Sequence, residues 1–130
     1  MAGRVVVSTL NDDTGVLATQ NGMTGIAKAW VNFNGTGTVA IRDSFNVSSI
    51  TDNGTGDYTV NFTTAMPNAN YAVASTGKFT SNDGASLVFS TSISNRAGNP
   101  ATTFVRMVTG QGNNGTQLDF EVVCVSVHSS

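Results

Sequence analysis

Residues 29–42, AWVNFNGTGTVAIR, decide the fold because they join two short alternating segments through a glycine-rich turn. Ala29, Val31 and Phe33 recur at every second position, which is the pattern of a β-strand with one buried face. The following Asn34–Gly37 segment is typical of a hairpin turn, and apolar alternation resumes after it. The stretch therefore predicts two consecutive antiparallel strands.

The same combination of alternation and turn residues repeats along the chain, at the spacing of a sandwich or a barrel. Phe45 and Val47 alternate as residues of one strand face, but Ile50 is out of phase with them. This break in the alternation predicts a bulge or bend near Ser48-Ser49. Pro67 predicts a loop, since proline cannot donate to a strand ladder. Further strands are predicted within residues 38–42, 57–63, 71–79, 86–93, 103–109 and 118–127, with turns at 52–56, 81–84 (a hairpin) and 110–115. The simplest arrangement is eight or nine strands in two packed sheets.

Composition supports an all-β chain. Gly, Asn, Thr and Ser together make up 59 of the 130 residues, whereas the chain has one Glu and two Lys. Because β-branched and turn residues dominate and good helix formers are scarce, a helical bundle and a coiled coil are excluded, and the composition argues against an α/β enzyme. With 39% hydrophobic residues the chain is also too apolar to be disordered.

The chain is expected to be one folded domain with an extension. Residues 1–26 show little alternation and predict an extended N-terminal arm with one short strand or hairpin, and residues 27–130 predict the β-sandwich domain. The N-terminus has no apolar core of a signal peptide, and the longest apolar runs are too short to cross a membrane. The sequence therefore predicts synthesis in a cytosol and no membrane insertion.

Charge and cysteine content exclude several partners. The formal net charge is −2 and the four arginines are scattered, so nucleic-acid binding is not expected. A single Cys124 and a single His128 cannot build a disulfide or a metal site of several His and Cys ligands, and Cys124 is predicted to be a small buried hydrophobe. We predict no cofactor and no metal.

No catalytic constellation emerges from the sequence. Asp119 and Glu121, two residues apart on one predicted strand face, are spaced like the carboxylate pair of a glycosidase, but no sugar cleft is evident and a solvated strand face is the favoured interpretation. The stretch Asp52–Asp57 lacks the closing Glu of a calcium loop and predicts a plain turn. The repeated Gly-x-Gly segments precede strands rather than helices, so they predict turns and not phosphate loops. No catalytic residue is predicted, and the hypothesis of a polysaccharide-cleaving enzyme has the least support from the sequence.

Two features point to assembly. Trp30 lies on the polar register of its strand, where it is either half-covered by a loop or part of a subunit interface or ligand platform. The last strand becomes apolar on both faces at residues 122–125, which predicts a central or doubly covered strand. This spare apolar surface favours a homo-oligomer. The candidate interface residues are Trp30, Val123, Val125 and Val127.

Residues 25–62, GIAKAWVNFNGTGTVAIRDSFNVSSITDNGTGDYTVNF, followed by TTAMPNANYAV to Val73, resemble a β-module of tail-fibre and related virion proteins of tailed bacteriophages, cyanophages and marine phages especially. The resemblance is close over about fifty residues, loose downstream and weaker before residue 25. It implies a phage-associated β-domain, typically trimeric, without fixing one role.

Taken together, the predicted fold is an all-β, jelly-roll-like antiparallel sandwich assembled as a homotrimer. The predicted function is that of a non-enzymatic phage virion structural protein, made in the host cytoplasm, most consistent with a tail-fibre-type receptor-binding module. The alternative is a capsid decoration (cement) protein whose arm staples capsomers. Partners would be other virion proteins (fibre, baseplate or major capsid protein) and, for a fibre tip, a host-surface glycan. The candidate glycan-binding loop residues are Asp52, Asn53, Asn82, Asp83, Asn113 and Asn114.

Overall fold

The computed structural model describes residues 3, 6, 9–11, 16–18, 26–79, 89–112 and 114–129. Every regular element within these ranges is a β-strand, as the composition predicts. The strands are β1 (Thr9–Asn11), β2 (Val16–Ala18), β3 (Ala29–Asn34), β4 (Ala40–Phe45), β5 (Val47–Gly54), β6 (Asp57–Phe62), β7 (Ala72–Lys78), β8 (Phe89–Ile93), β9 (Phe104–Gln111) and β10 (Val122–His128).

Eight of these strands form two four-stranded antiparallel sheets. Sheet I has the order β4-β3-β10-β7, and sheet II has the order β5-β6-β9-β8. Their apolar faces meet: Phe33 of sheet I packs edge-on against Tyr58 of sheet II, with ring centroids 5.2 Å apart. The prediction of an all-β chain with two packed sheets is thereby confirmed, while the jelly-roll connectivity and the trimer stay predictions.

Among the eight strands of the two large sheets, three connections are hairpins within one sheet, and the others pass between the sheets. Strands β3 and β4 pair as predicted around the Asn34–Gly37 turn, and β5 pairs with β6 around the predicted turn at 52–56. The prediction that the strands flanking residues 81–84 pair as a hairpin is wrong, because β7 pairs with β10 and β8 pairs with β9. Residues 81–84 themselves lie outside the described residues.

Asn46 turns the chain from sheet I into sheet II. Its φ of 56° lies in the left-handed region, and its side-chain amide donates to the carbonyl oxygens of Lys28 (2.9 Å) and Thr64 (3.1 Å). This corner places Phe45 and Val47 on different sheets, so the prediction that they share one strand face is wrong. The bulge predicted near Ser48-Ser49 is confirmed by a register shift between Val47 and Ser49.

The core lies between the sheets and is formed by alternate residues of the central strands. Strand β10 lies between β3 and β7, which confirms that the last strand is central. Its inward residues Val123, Val125 and Val127 are 0%, 3% and 1% exposed. The prediction that these valines form a subunit interface is wrong, because each is already buried against the chain's own second sheet. Burying each such side chain stabilises the fold by about 1.5–3 kcal/mol.

A polar contact runs through this core. The fully buried Tyr58 on β6 donates its hydroxyl to Asp119 Oδ1 (2.7 Å) and lies 2.8 Å from the carbonyl oxygen of Gly35, in the β3–β4 turn. Asp119 Oδ1 also accepts from the backbone N–H of Gly56 (2.7 Å). Burial, reinforced by the neighbouring carboxylate, holds the pKa of Tyr58 well above its usual range. The phenol therefore stays protonated and links both sheets to the segment that leads into β10.

Gly56 is required by the same contact. It has a φ of +64°, and a Cβ at this position would overlap the backbone oxygen of Thr109 and the backbone of Leu118. Any side chain here would push apart the three segments that meet at Asp119.

The N-terminal region contains a short hairpin. Strands β1 and β2 pair antiparallel, with Leu10 opposite Leu17. This confirms the hairpin predicted within the arm, whereas the boundary between arm and domain at residues 26 and 27 stays a prediction.

We predict that Tyr58→Phe destabilises the fold more than Tyr71→Phe does. Both hydroxyls are held inside the protein, but Tyr71 lies near the carbonyl oxygens of Ala101 (2.9 Å) and Phe104 (2.8 Å), whereas Tyr58 donates to a carboxylate. Urea unfolding should show a loss of about 2–3 kcal/mol for Tyr58→Phe and about 1 kcal/mol for Tyr71→Phe. Equal losses would contradict the special role of the Asp119 contact.

Candidate functional site

The outer face of sheet I carries an exposed aromatic pair. Trp30 is 37% exposed, as its polar register predicts, and lies directly opposite Phe45, which is 54% exposed. The same ladder row continues across the sheet through Ser126 and Ala74. We call this surface, defined by Trp30, Phe45, Ser126 and Ala74, the Trp30 face.

An apolar groove adjoins the Trp30 face at Phe45. It has a volume of about 620 Å³ and lies where the chain enters β3. Ile26, at its edge, is 58% exposed, while Met66 is buried beneath it and Pro67 completes the wall. Groove and face together leave three large apolar side chains in solvent on one side of the domain, which is the usual mark of an interaction surface.

The outer face of sheet II has the opposite chemistry. Asn61 donates to Ser49 Oγ (3.1 Å) and Thr51 Oγ1 (3.0 Å), and Asn53 donates to Thr59 Oγ1 (2.9 Å). These short polar side chains alternate with the core residues of β5 and β6, and they bond to each other across the strands. We call this surface the polar face.

A charged pair anchors the polar face. Asp57, which is 5% exposed, accepts two hydrogen bonds of 2.7 Å from Arg106 Nε and Nη2 on the adjacent strand. Arg96 approaches the same carboxylate more loosely, at 3.8 Å. The Arg106 hydrogen bonds hold the pKa of Asp57 below its usual range against the opposing effect of burial. The carboxylate is therefore ionised at neutral pH and paired with Arg106.

The loop that carries Arg96 is tied to the sheet by one side chain. The Asn99 amide donates to the carbonyl oxygens of Ser94 (2.7 Å) and Arg106 (2.8 Å), and its oxygen accepts from the Arg106 N–H (2.8 Å). These three bonds fix residues 94–99 against β9. The loop is thus a fixed part of the polar face.

A pocket of about 570 Å³ lies between this loop and the sheet. Its size falls in the range of small-molecule sites. It combines a buried carboxylate, an exposed guanidinium, neutral amides and hydroxyls, and the apolar side chain of Val108. Its lining includes Asp57, Ser92, Ile93, Asn95, Arg96, Val108 and Gln117.

The loop residues that were predicted as glycan-binding candidates differ in their contacts. Asp52 accepts from the Gly54 N–H (2.9 Å), and Asn114 accepts from the Thr116 N–H (3.0 Å), so both shape their own turns. Asn53 lies on the polar face, bonded to Thr59. Whether any of them binds a glycan stays a prediction. Asn82, Asp83 and Asn113 lie outside the described residues.

The residues considered for catalysis have structural partners. Asp119 is bound by Tyr58 and Gly56, and Glu121 forms an ion pair with Lys78 at 3.3 Å. Both precede β10, so the prediction that they share one strand face is wrong. His128 ends β10, exposed, with its Nε2 2.9 Å from Ser126 Oγ, as expected of an end-of-strand histidine.

Cys124 is half-buried on β10 rather than a core residue, because its strand position points away from the inward valines. Within the described ranges, no group of three or more His, Cys, Asp and Glu residues could hold a metal ion. That part of the chain also contains no helix long and apolar enough to cross a membrane.

Two contacts were not foreseen from the sequence. Phe45 lies opposite Trp30 in the β3–β4 pairing, whose register shifts between Asn32 and Phe33, and this shift was not visible in the alternation. Asp57 and Arg106 are 49 positions apart and meet only when β6 pairs with β9. The one available signal was that both are charged residues on the outward register of strand segments.

We predict that Asp57 stabilises the fold in a pH-dependent way. Because its pKa is lowered from 3.8 in the folded chain, its contribution is complete above about pH 4 and is lost as the pH falls through the folded pKa. Thermal melts should therefore show wild type above Asp57→Asn at neutral pH, with the two melting curves converging in acid. Asp43→Asn, on the exposed strand β4, controls for loss of one surface carboxylate; a constant gap between wild type and Asp57→Asn would contradict the prediction.

Comparison of the chain with models of protein families, with curated proteins and with solved structures finds no match. The chemistry of the Trp30 face, the polar face and its pocket is therefore the basis for assigning a function.

Proposed function

We propose that this chain is a non-enzymatic structural protein of the bacteriophage virion surface, acting as a tail-fibre-type receptor-binding module. The observation that carries the proposal is the contrast between the two outer faces of one small sandwich. One face exposes large apolar side chains next to a groove, and the other exposes a network of short polar side chains around a pocket. Such a division suits a module that is held by partners on one side and meets a ligand on the other.

The Trp30 face is the proposed contact between subunits of a homotrimer. Trp30 and Phe45 are enriched types at the centres of protein interfaces, where burying them excludes water. Their ladder neighbours Ser126 and Ala74 are small, so a partner surface can approach the sheet closely. The trimer, like the jelly-roll-like connectivity, comes from the resemblance to phage virion modules.

The polar face is the proposed receptor side. Asp119 and Glu121 are engaged in bonds that hold the fold, which supports a binding role over a catalytic one. On this account the loops around the polar pocket contact a host-surface glycan, while the Trp30 face is covered by other subunits.

The alternative, a capsid decoration protein, has its own supporting observation. In the described part of the chain, β1 and β2 form a two-stranded sheet. An isolated two-stranded hairpin is marginally stable in water and gains from packing on another surface. In a decoration protein the arm that carries this hairpin would lie on neighbouring capsid subunits.

Immunogold labelling of particles assembled from the encoding genome tests the proposal. Gold on the tail tip or fibres supports the receptor-binding module, and gold over the head shell supports the decoration protein. Deleting residues 2–22 separates them further: reduced particle stability is expected of a decoration protein, and intact particles with impaired adsorption are expected of a fibre module. Absence of the chain from purified particles would overturn both.

We predict that Trp30→Ser combined with Phe45→Ser dissociates the oligomer. The double variant removes the exposed aromatic pair without touching the core, so the subunit should still fold and circular dichroism should keep its β-sheet signal. Sedimentation velocity should show a trimer for wild type and a monomer for the double variant. Ile93→Ser, which removes a 39% exposed apolar side chain from sheet II, is the matched control and should remain trimeric. A double variant that stays trimeric would contradict the assigned interface.

A further inference from the structure

The charges of the polar pocket do not balance. Asp57 contributes one negative charge, whereas Arg106 and Arg96 contribute two positive charges. Arg106 satisfies the carboxylate through two short bonds, while Arg96 stays 3.8 Å away with 63% of its side chain exposed. Asp57 and the two guanidinium groups that approach it therefore sum to one positive charge beside the pocket, on a protein whose formal net charge is −2.

Arg96 can engage a ligand without damage to the site. Arg106 already donates one hydrogen bond to each carboxylate oxygen of Asp57. Turning Arg96 outward therefore leaves the buried carboxylate paired. The backbone beneath Arg96 is fixed by the Asn99 bonds to Ser94 and Arg106. A guanidinium on a fixed loop can form two parallel hydrogen bonds to a carboxylate or a similar planar anion.

The remaining lining selects the rest of the ligand. Val108, on the same outward row as Asp57 and Ser92, offers an apolar patch inside an otherwise polar pocket, and Asn95 and Gln117 offer both donors and acceptors beside it. A flat ring with C–H groups on one side and hydroxyls at its edge matches this combination. Aliphatic acids lack the hydroxyls, and neutral sugars lack the charge.

We propose that this pocket binds an acidic saccharide, with the sugar carboxylate on Arg96, the ring against Val108 and the hydroxyls on Asn95 and Gln117. The proposal rests on the receptor-binding role of the polar face and assigns to it a ligand class. It makes Arg96 the residue that selects a charged over a neutral glycan.

Titration of the full chain with trigalacturonate, followed by calorimetry, tests the proposal. Wild type should bind it, and the affinity should fall as salt is added, since one ion pair is formed in a solvent-accessible pocket. The methyl-esterified trisaccharide, which has the same rings without charge, should bind about tenfold more weakly or worse. Sodium acetate at the same concentration should not compete, which separates a sugar site from a site for any small anion.

Arg96→Gln should weaken trigalacturonate binding about tenfold or more, and Arg96→Lys should retain part of it. Arg42→Gln is the matched control, because Arg42 lies on sheet I, where it donates to Asn32 and to the Glu121 carbonyl oxygen. It should bind trigalacturonate like wild type. Thermal melts of each variant verify that the fold is retained.

Three results would overturn the ligand assignment: no binding of trigalacturonate by wild type, equal binding of the methyl ester, or an Arg96→Gln variant that melts and binds like wild type. None of these changes where the protein lies in a particle. If gold still labels the tail tip, only the ligand class is lost; if the chain is absent from particles while trigalacturonate binds, only the virion role is lost.

Discussion

The hydrogen bond between Tyr58 and Asp119 is the contact on which the rest of the structure depends. Tyr58 stands on the central part of sheet II, Gly35 belongs to the first hairpin of sheet I, and Asp119 belongs to the segment that leads into β10. One phenol thus fixes the distance between the sheets and the entry of the strand that completes sheet I. The ring itself packs edge-on against Phe33, so the polar contact and the apolar core are aligned by the same side chain. Because an unmet carboxylate in this position would be costly, the alternative packings of two short sheets are disfavoured.

Closing the core in this way decides what remains outside. The inward registers of β3, β6, β9 and β10 hold the buried apolar residues, and the outward registers are left to differ. On sheet I the pairing of β3 with β4 brings Phe45 opposite Trp30, which yields an apolar surface at one end of the sheet. On sheet II the outward positions of β5 and β6 hold Asn, Ser and Thr, and β9 adds Arg106 opposite them. The contrast between the two faces therefore follows from strand register.

The parts of this fold that depend on local pattern could be predicted from the sequence, and the parts that depend on long-range pairing could not. A few neighbouring residues determine each of three such features: the hairpin at Asn34–Gly37, the bulge near Ser48 and the outward position of Trp30. By contrast, the valines of β10 could be predicted either as interface residues or as core residues. A run that is apolar on both faces does not indicate whether the chain itself or a partner covers it. The pairing of Asp57 with Arg106 required the choice of β9 as the neighbour of β6, which alternation alone does not specify. The pocket beside them was missed for the same reason.

The scarcity of charge on the polar face supports the binding role proposed for it. Long charged side chains lose much rotamer freedom when a ligand orders them, whereas Ser, Thr and Asn lose little. On this sheet the short side chains are already ordered by bonds to one another, such as those of Asn61 with Ser49 and Thr51. A ligand that meets them therefore meets a preorganised pattern of donors and acceptors. Against that background a single guanidinium has a large effect, because few other charges compete with it for an anion. In the proposed receptor-binding role, this rigid neutral surface would supply the shape and Arg96 the selectivity for charge.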